Sequence, residues 1–228
     1  MSSYPDPRLP GGPGGPAHPS GPVGPGGWPP PQPPAPPTPP PTAATAPGQA
    51  DPTTALLAAA AAGAAVALAL GTYGRVHSPT GGNITTFGFP TVLSMKAWLA
   101  TGAFVLALAQ LTSALAMWGR LPGVHTRPTW LPPVHRWTGT AAFVLSLPVA
   151  YHCLWSLGFQ DTDTRVLVHS LTGCAFYGAF TTKMLALRID RLPGMALPVL
   201  GGLLVTGLTV MWLTSSLWFF TNIGFPGI

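Results

Sequence analysis

The stretch VHRWTGTAAFVLSLPVAYHCLWSLG, residues 134–158, decides the fold of this chain. It holds a single charged residue, Arg136, and at 1.5 Å per residue a helix of this length crosses the roughly 30 Å hydrocarbon core of a bilayer. We therefore predict a transmembrane helix here. Four other apolar runs of bilayer length predict further spans at about 54–73, 92–118, 165–187 and 195–220.

The links between these runs are short and carry turn residues, so consecutive spans should be antiparallel neighbours. The predicted fold is an all-α membrane protein, in which about five transmembrane helices form an up-down bundle over residues 53–228. The first run is almost entirely alanine, and such a span would insert only by packing on its neighbours.

The composition excludes a soluble globular enzyme. Only 7% of the 228 residues are charged, against about a quarter in ordinary soluble domains, and so few charges cannot cover a water-exposed surface. The positive charges are scattered rather than clustered with aromatic residues, so a nucleic-acid partner is not expected. The lipid bilayer is the expected surrounding.

Residues 1–52 are dominated by proline and glycine, which prevent helix and sheet, so they predict a disordered tail. Its Pro-rich half could dock in an aromatic groove of a cytoplasmic partner, or it could be only a solvated leader.

Lysine and arginine near the span ends predict the orientation in a bacterial cell membrane. Six such residues fall on one side and three, Arg75, Lys96 and Arg165, on the other, which places the first side in the cytoplasm. The N-terminus is then cytoplasmic and the C-terminus outside. The six residues are Arg120, Arg127, Arg136, Lys183, Arg188 and Arg191.

Two intramembrane histidines are candidate ligands of a haem iron. His152 lies six residues before the third span ends and His169 four residues after the fourth begins, so both imidazoles should lie roughly 6–9 Å from the same mouth of a hairpin. Two imidazoles facing each other across a bundle can bind the two axial faces of haem iron. Alternatively, each histidine simply hydrogen-bonds a neighbouring helix.

A repeated motif, V-H-x-x-T-G-x-A, makes His135 equivalent to His169. Gly139 and Gly173 each follow their histidine by four residues, hence on the same helix face, where a missing side chain leaves room for a porphyrin or a close helix. His135 lies about 25 Å from His152 along one helix, so the two cannot share a haem. A second haem is doubtful, because its remaining candidate ligands are Met117, Met184 and a folded-back His125.

These positions resemble the cytochrome b561 and ferric-reductase-like haem proteins of membranes over roughly residues 92–220. The resemblance implies a four-helix core that holds b-type haem between histidines and passes electrons across or along the bilayer. The chain as a whole also resembles a family of small actinobacterial multi-span membrane proteins with a Pro-rich leader.

Two functions follow as expectations. In the first, the protein relays electrons through one haem b near the outer face, with His152 and His169 on the iron, Gly173 making room, and a quinone or redox protein as partner. His135 is then a second ligand or part of a quinone pocket. In the second, the protein is a non-catalytic membrane subunit with structural histidines and a partner-docking tail.

Overall fold

The structure, a computed structural model, describes residues 51–123 and 128–224, so the predicted tail falls almost wholly outside the described residues. Five long helices account for most of the described chain, which contains no strand. They are α1 (Pro52–Val76), α2 (Val92–Met117), α3 (Leu131–Leu157), α4 (Thr164–Ala186) and α5 (Ala196–Asn222). α3 turns into π-helix over His152–Leu157, and α5 contains a π segment at Leu213–Leu217.

The predicted fold class is confirmed: the described chain is all-helical, and each predicted span lies within about three residues of a helix. Four helices are long and apolar enough to cross a membrane, which supports a membrane protein. α4 does not reach that hydropathy, because it carries Arg165, His169, Lys183 and several hydroxyl side chains. Large apolar side chains such as Leu68, Val105 and Leu203 point outward, where lipid would cover them.

Three of the five helices, α1, α2 and α4, begin where side chains satisfy free backbone N–H groups of the first turn. The Asp51 carboxylate accepts from the N–H groups of Thr53 and Thr54, and the Asp163 carboxylate accepts from that of Val166. At α2, Thr91 and Ser94 form a reciprocal capping box. These caps fix the register in which α1, α2 and α4 enter the bundle.

The helices pack in the circular order α1, α4, α5, α2, α3, and the last segment of α3 returns to α1. α2 packs on α3 and α4 on α5, as sequence neighbours were expected to do. α1 is an exception, because its main neighbour is α4 rather than α2. The backbones of α3 and α4 are also farther apart than those of the packed pairs, although these helices are joined by a short link.

α1 approaches α4 closely through small residues. A Cβ placed on Gly63 would overlap the Thr182 hydroxyl and the Gly178 carbonyl, and a Cβ on Gly178 would stand 2.6 Å from the Gly63 carbonyl oxygen. Small residues let helices pack without a hydrophobic driving force in lipid. The alanine-rich helix is therefore held by α4, as expected for a span that depends on its neighbours.

The two ends of the bundle are named here after the predicted orientation. The inner end lies where α2 and α4 end and where α3 and α5 begin, and the outer end lies where α1 and α3 end and where α2 and α4 begin. At the outer end, the Phe159 N–H donates to the Gly74 carbonyl at 2.7 Å, and the Ser156 hydroxyl donates to the Gly82 carbonyl at 2.6 Å. These bonds tie the end of α3 to α1 and to the link that follows α1.

Candidate functional site

A cavity of about 110 Å³ lies inside the bundle, where the α3 and α4 backbones separate. All five helices contribute to its wall, which is mainly apolar. The side chains with polar or sulfur groups in this wall include Cys153, His169, Cys174, Tyr177 and Met211. The cavity is therefore an apolar space with a few convergent reactive groups, the usual character of a small-molecule site.

His169 is fixed at the cavity wall by α5. Its Nδ1 lies 3.0 Å from the Thr214 hydroxyl oxygen, whose own proton is donated to the Val210 carbonyl at 2.7 Å. This contact holds the ring through Nδ1. The same imidazole also interacts with the Cys153 side chain.

The tautomer of His152 is set by its partner. Its Nδ1 lies 2.8 Å from the Pro148 carbonyl oxygen, which can only accept, so Nδ1 is the protonated nitrogen. The ring is 1% exposed, and Nε2 has no hydrogen-bond partner among the described residues. A buried polar atom without a partner is costly and calls for a ligand, ion or water to explain it.

α3 and α4 are bridged by aromatic side chains on the inner side of the cavity. The Tyr177 hydroxyl donates to the Ser146 oxygens, at 2.9 Å for the hydroxyl and 3.1 Å for the carbonyl. Phe143 stacks on Phe180, with ring centroids 4.1 Å apart. Long side chains thus hold the two helices together while their backbones leave space between them.

His135 and Gly139 form a separate polar cluster nearer the inner end, between α3 and α2. The His135 Nδ1 lies 2.7 Å from the Ser113 hydroxyl oxygen, which donates its proton to the Gln110 carbonyl. The Gln110 amide in turn donates to the His135 carbonyl and to the Thr138 hydroxyl. Gly139 makes room for this amide, since a Cβ there would stand 3.0 Å from Gln110 Oε1.

The repeated motif packs in the same way twice. In each copy the histidine Nδ1 bonds a hydroxyl on a neighbouring helix, Ser113 for His135 and Thr214 for His169. In each copy the glycine four residues later faces the residue three positions before that hydroxyl, which is Gln110 in one and Met211 in the other. The sequence repeat is thus a repeat in structure, built on the pairs α3–α2 and α4–α5.

The predicted site residues divide into two groups. His169 and Gly173 line the cavity, and a Cβ on Gly173 would lie 3.7 Å from the Met211 sulfur. His152 belongs to the same outer half, but it is not among the residues that line the cavity. His135 and Gly139 are in the other cluster.

Sequence reasoning missed Cys153, which interacts with the side chains of His169 and Lys96. Cys153 follows Ser146 by seven residues, so the two residues lie on one face of α3. This spacing is the sequence signal that could have indicated a position beside α4.

The donor chemistry of the outer half fits a haem iron. His152 and His169 are both held through Nδ1 in a hydrogen bond, so Nε2 of each ring would be the nitrogen that binds iron, and iron at His169 would displace its interaction with Cys153. The space is smaller than the roughly 300–1,000 Å³ of sites for larger organic ligands. Haem binding therefore requires the cavity to widen between α3 and α4 and to extend to His152. No group of three or more His, Cys, Asp or Glu within the described ranges could hold a bare metal ion.

Comparison with known proteins assigns the chain to a family without assigning a function. No curated protein and no solved structure matches it. One family profile matches residues 56–227, which covers all five helices and both histidine clusters. The chain belongs to this family, DUF6529, which is described as a family of unknown function.

Proposed function

We propose that the protein is an integral membrane b-type cytochrome-like protein that relays electrons through one haem in the outer half of the bundle. The proposal rests on one observation: His152 and His169 lie on the two helices that flank the cavity, and each ring is held through Nδ1. His169 also interacts with the Cys153 side chain, which haem would have to displace. Nε2 of His152 is in addition buried without a partner among the described residues, so a metal bond there relieves an unsatisfied atom.

The remaining residues of the site would bind and orient. The Pro148 carbonyl would accept the imidazole proton of His152, and the Thr214 hydroxyl would hold the His169 ring through Nδ1, so that both rings are fixed in orientation. Gly173 leaves open space beside the Met211 sulfur, and the apolar wall excludes water. One-electron transfer is the chemistry that haem iron supplies when it is bound.

A purified preparation of the full chain from haem-replete cells is expected to absorb in the visible range. A Soret band, and separate α and β bands after reduction with dithionite, are the expected spectrum of six-coordinate b-type haem. A colourless preparation that is nevertheless folded, as judged by circular dichroism, would refute the proposal. The electron donor is expected to be a membrane quinol or a redox protein, and reduction of the absorbing species by an added quinol distinguishes the two.

The second candidate function is a non-catalytic membrane subunit with structural histidines and a partner-docking tail. It is favoured by His135, whose ring bonds Ser113 and whose backbone bonds Gln110, so that this histidine already acts as a link between α2 and α3. The same colourless preparation that refutes the haem proposal would support this alternative.

We propose that the protein lies in a bacterial cell membrane. In this orientation the inner end faces the cytoplasm and the C-terminus lies outside. The excess of cations at the inner end supports this. Single cysteines at Gly82 and Asp161 in a variant lacking Cys153 and Cys174 are expected to react with a membrane-impermeant maleimide in intact cells, whereas one at Arg188 should not. Labelling of the Arg188 position alone would reverse the assignment.

A further inference from the structure

The two ends of the bundle differ in how their cations are satisfied. At the outer end, Arg75 pairs with Asp161 at 2.8 Å. Arg165 lies 3.7 Å from Asp163, donates to the Thr214 carbonyl at 2.7 Å and lies over the Trp218 ring. The outer-end arginines are thus occupied by partners within the protein.

The inner end has cations without such partners. Five of its basic residues form no ion pair among the described residues, and we call them the basic cluster: Arg120, Arg136, Lys183, Arg188 and Arg191. Two aspartates are described at this end. Asp51 is used in capping α1, and Asp190 forms no ion pair within the described ranges. The inner end therefore presents unneutralised positive charge where headgroups of the bilayer would lie.

Two members of the basic cluster, Arg136 and Lys183, lie toward the inner end of α3 and α4. Arg136 precedes Phe143 by seven residues on α3, and Lys183 follows Phe180 by three on α4, so each lies on the helix face that carries its aromatic residue. Because Phe143 and Phe180 stack on each other, both cations lie on the sides of α3 and α4 that face each other. Lys183 is half-buried and close enough to His135 to interact with it electrostatically.

We propose that the inner end of the α3–α4 interface, between these two cations, binds the headgroup of an anionic phospholipid. The phosphate would lie between Arg136 and Lys183, and the acyl chains would follow the exposed apolar side chains of α3, including Val144 and Leu147. Charge complementarity selects this occupant: basic pockets between helices at a membrane surface bind anionic headgroups, whereas a neutral headgroup leaves both cations unpaired. The proposal does not depend on haem binding.

Native mass spectrometry of the detergent-purified full chain tests the proposal. Phosphatidylglycerol is expected to bind more tightly than phosphatidylcholine. R136Q and K183Q should each weaken phosphatidylglycerol binding about fivefold, the effect expected for one cation near an anionic surface. K183R keeps the charge and should retain the lipid.

R75Q is the matched control, because it removes an arginine that already has a carboxylate partner. It should change phosphatidylglycerol binding by less than about twofold, in line with a neutralised charge. Melting temperatures of all variants identify any that misfold. Equal binding of the two lipids, an equal loss in R75Q, or displacement of the lipid by inorganic phosphate would each overturn the proposal.

Discussion

Replacing Gly178 with alanine is expected to lower the free energy of unfolding by about 1–3 kcal/mol, the range for an overpacked interface. The new Cβ would stand 2.6 Å from the Gly63 carbonyl oxygen and 2.9 Å from the Ala67 Cβ. Neither atom belongs to a flexible side chain that could rotate away, so α1 must shift from α4. α1 buries three residues, Ala59, Gly63 and Gly74, and Gly63 lies at this contact with α4.

Thermal unfolding of the purified protein in detergent, followed by tryptophan fluorescence, measures this effect. Gly202→Ala is the matched control, because it adds the same methyl group to α5 where no atom lies within 4 Å. Its melting temperature should equal or exceed that of the wild type, because alanine favours a helix over glycine by about 0.5–1 kcal/mol. If Gly178→Ala were also unchanged, the close approach of α1 and α4 would be wrong.

His152→Ala and His169→Ala are each expected to abolish the spectrum of bis-histidine haem. With the remaining imidazole alone the iron lacks one axial ligand, and the haem is bound weakly or lost. The measurement is the difference spectrum of dithionite-reduced and oxidised protein, normalised to protein concentration. Added imidazole should restore part of the signal in His152→Ala, because it can occupy the space of the missing ring.

His135→Ala is the control for these variants. It removes an intramembrane histidine of the same motif and should keep the haem spectrum, because its ring bonds Ser113 in the other cluster. Loss of the spectrum in His135→Ala, with retention in His152→Ala, would move the ligand site to the inner half. Circular dichroism of each variant separates loss of haem from loss of fold.

The sequence predicted the helices well, because crossing a bilayer requires an apolar run of fixed length. The number of helices and their approximate ends followed from that requirement alone. α4 shows the limit of predicting spans from apolar runs. The run at 165–187 was long enough, yet the helix carries too many polar groups to meet the hydropathy of a span by itself. Those polar groups instead form bonds across the bundle, such as those of His169 and Tyr177.

Which helices pack together could not be predicted from apolar runs, because lipid-facing and helix-facing residues are both apolar in a membrane. Short links suggested that α1 would lie beside α2, whereas α1 packs on α4. The spacing Ala59, Gly63, Ala67 was visible in the sequence, and it indicates a close helix contact. Its partner, Gly178, could only be identified in the folded chain.

The candidate site was predicted in part. The equivalence of His135 and His169 holds in the structure, down to the hydroxyl partner and the residue opposite the glycine. The sequence did not indicate that Gln110 would fill the space beside Gly139, because that contact depends on the rotation of α2 against α3. Haem ligation by His152 and His169 remains a prediction.

The two copies of the histidine motif lie near opposite surfaces of the membrane, but only one of them borders empty space. Gln110 closes the copy nearer the inner end, whereas Met211 leaves the copy nearer the outer end open to the cavity. A single redox group in that cavity would sit in one leaflet of a bilayer whose hydrocarbon core is about 30 Å thick. A protein built in this way would exchange electrons at one surface, and transfer to the opposite surface would depend on a diffusing carrier or a second protein.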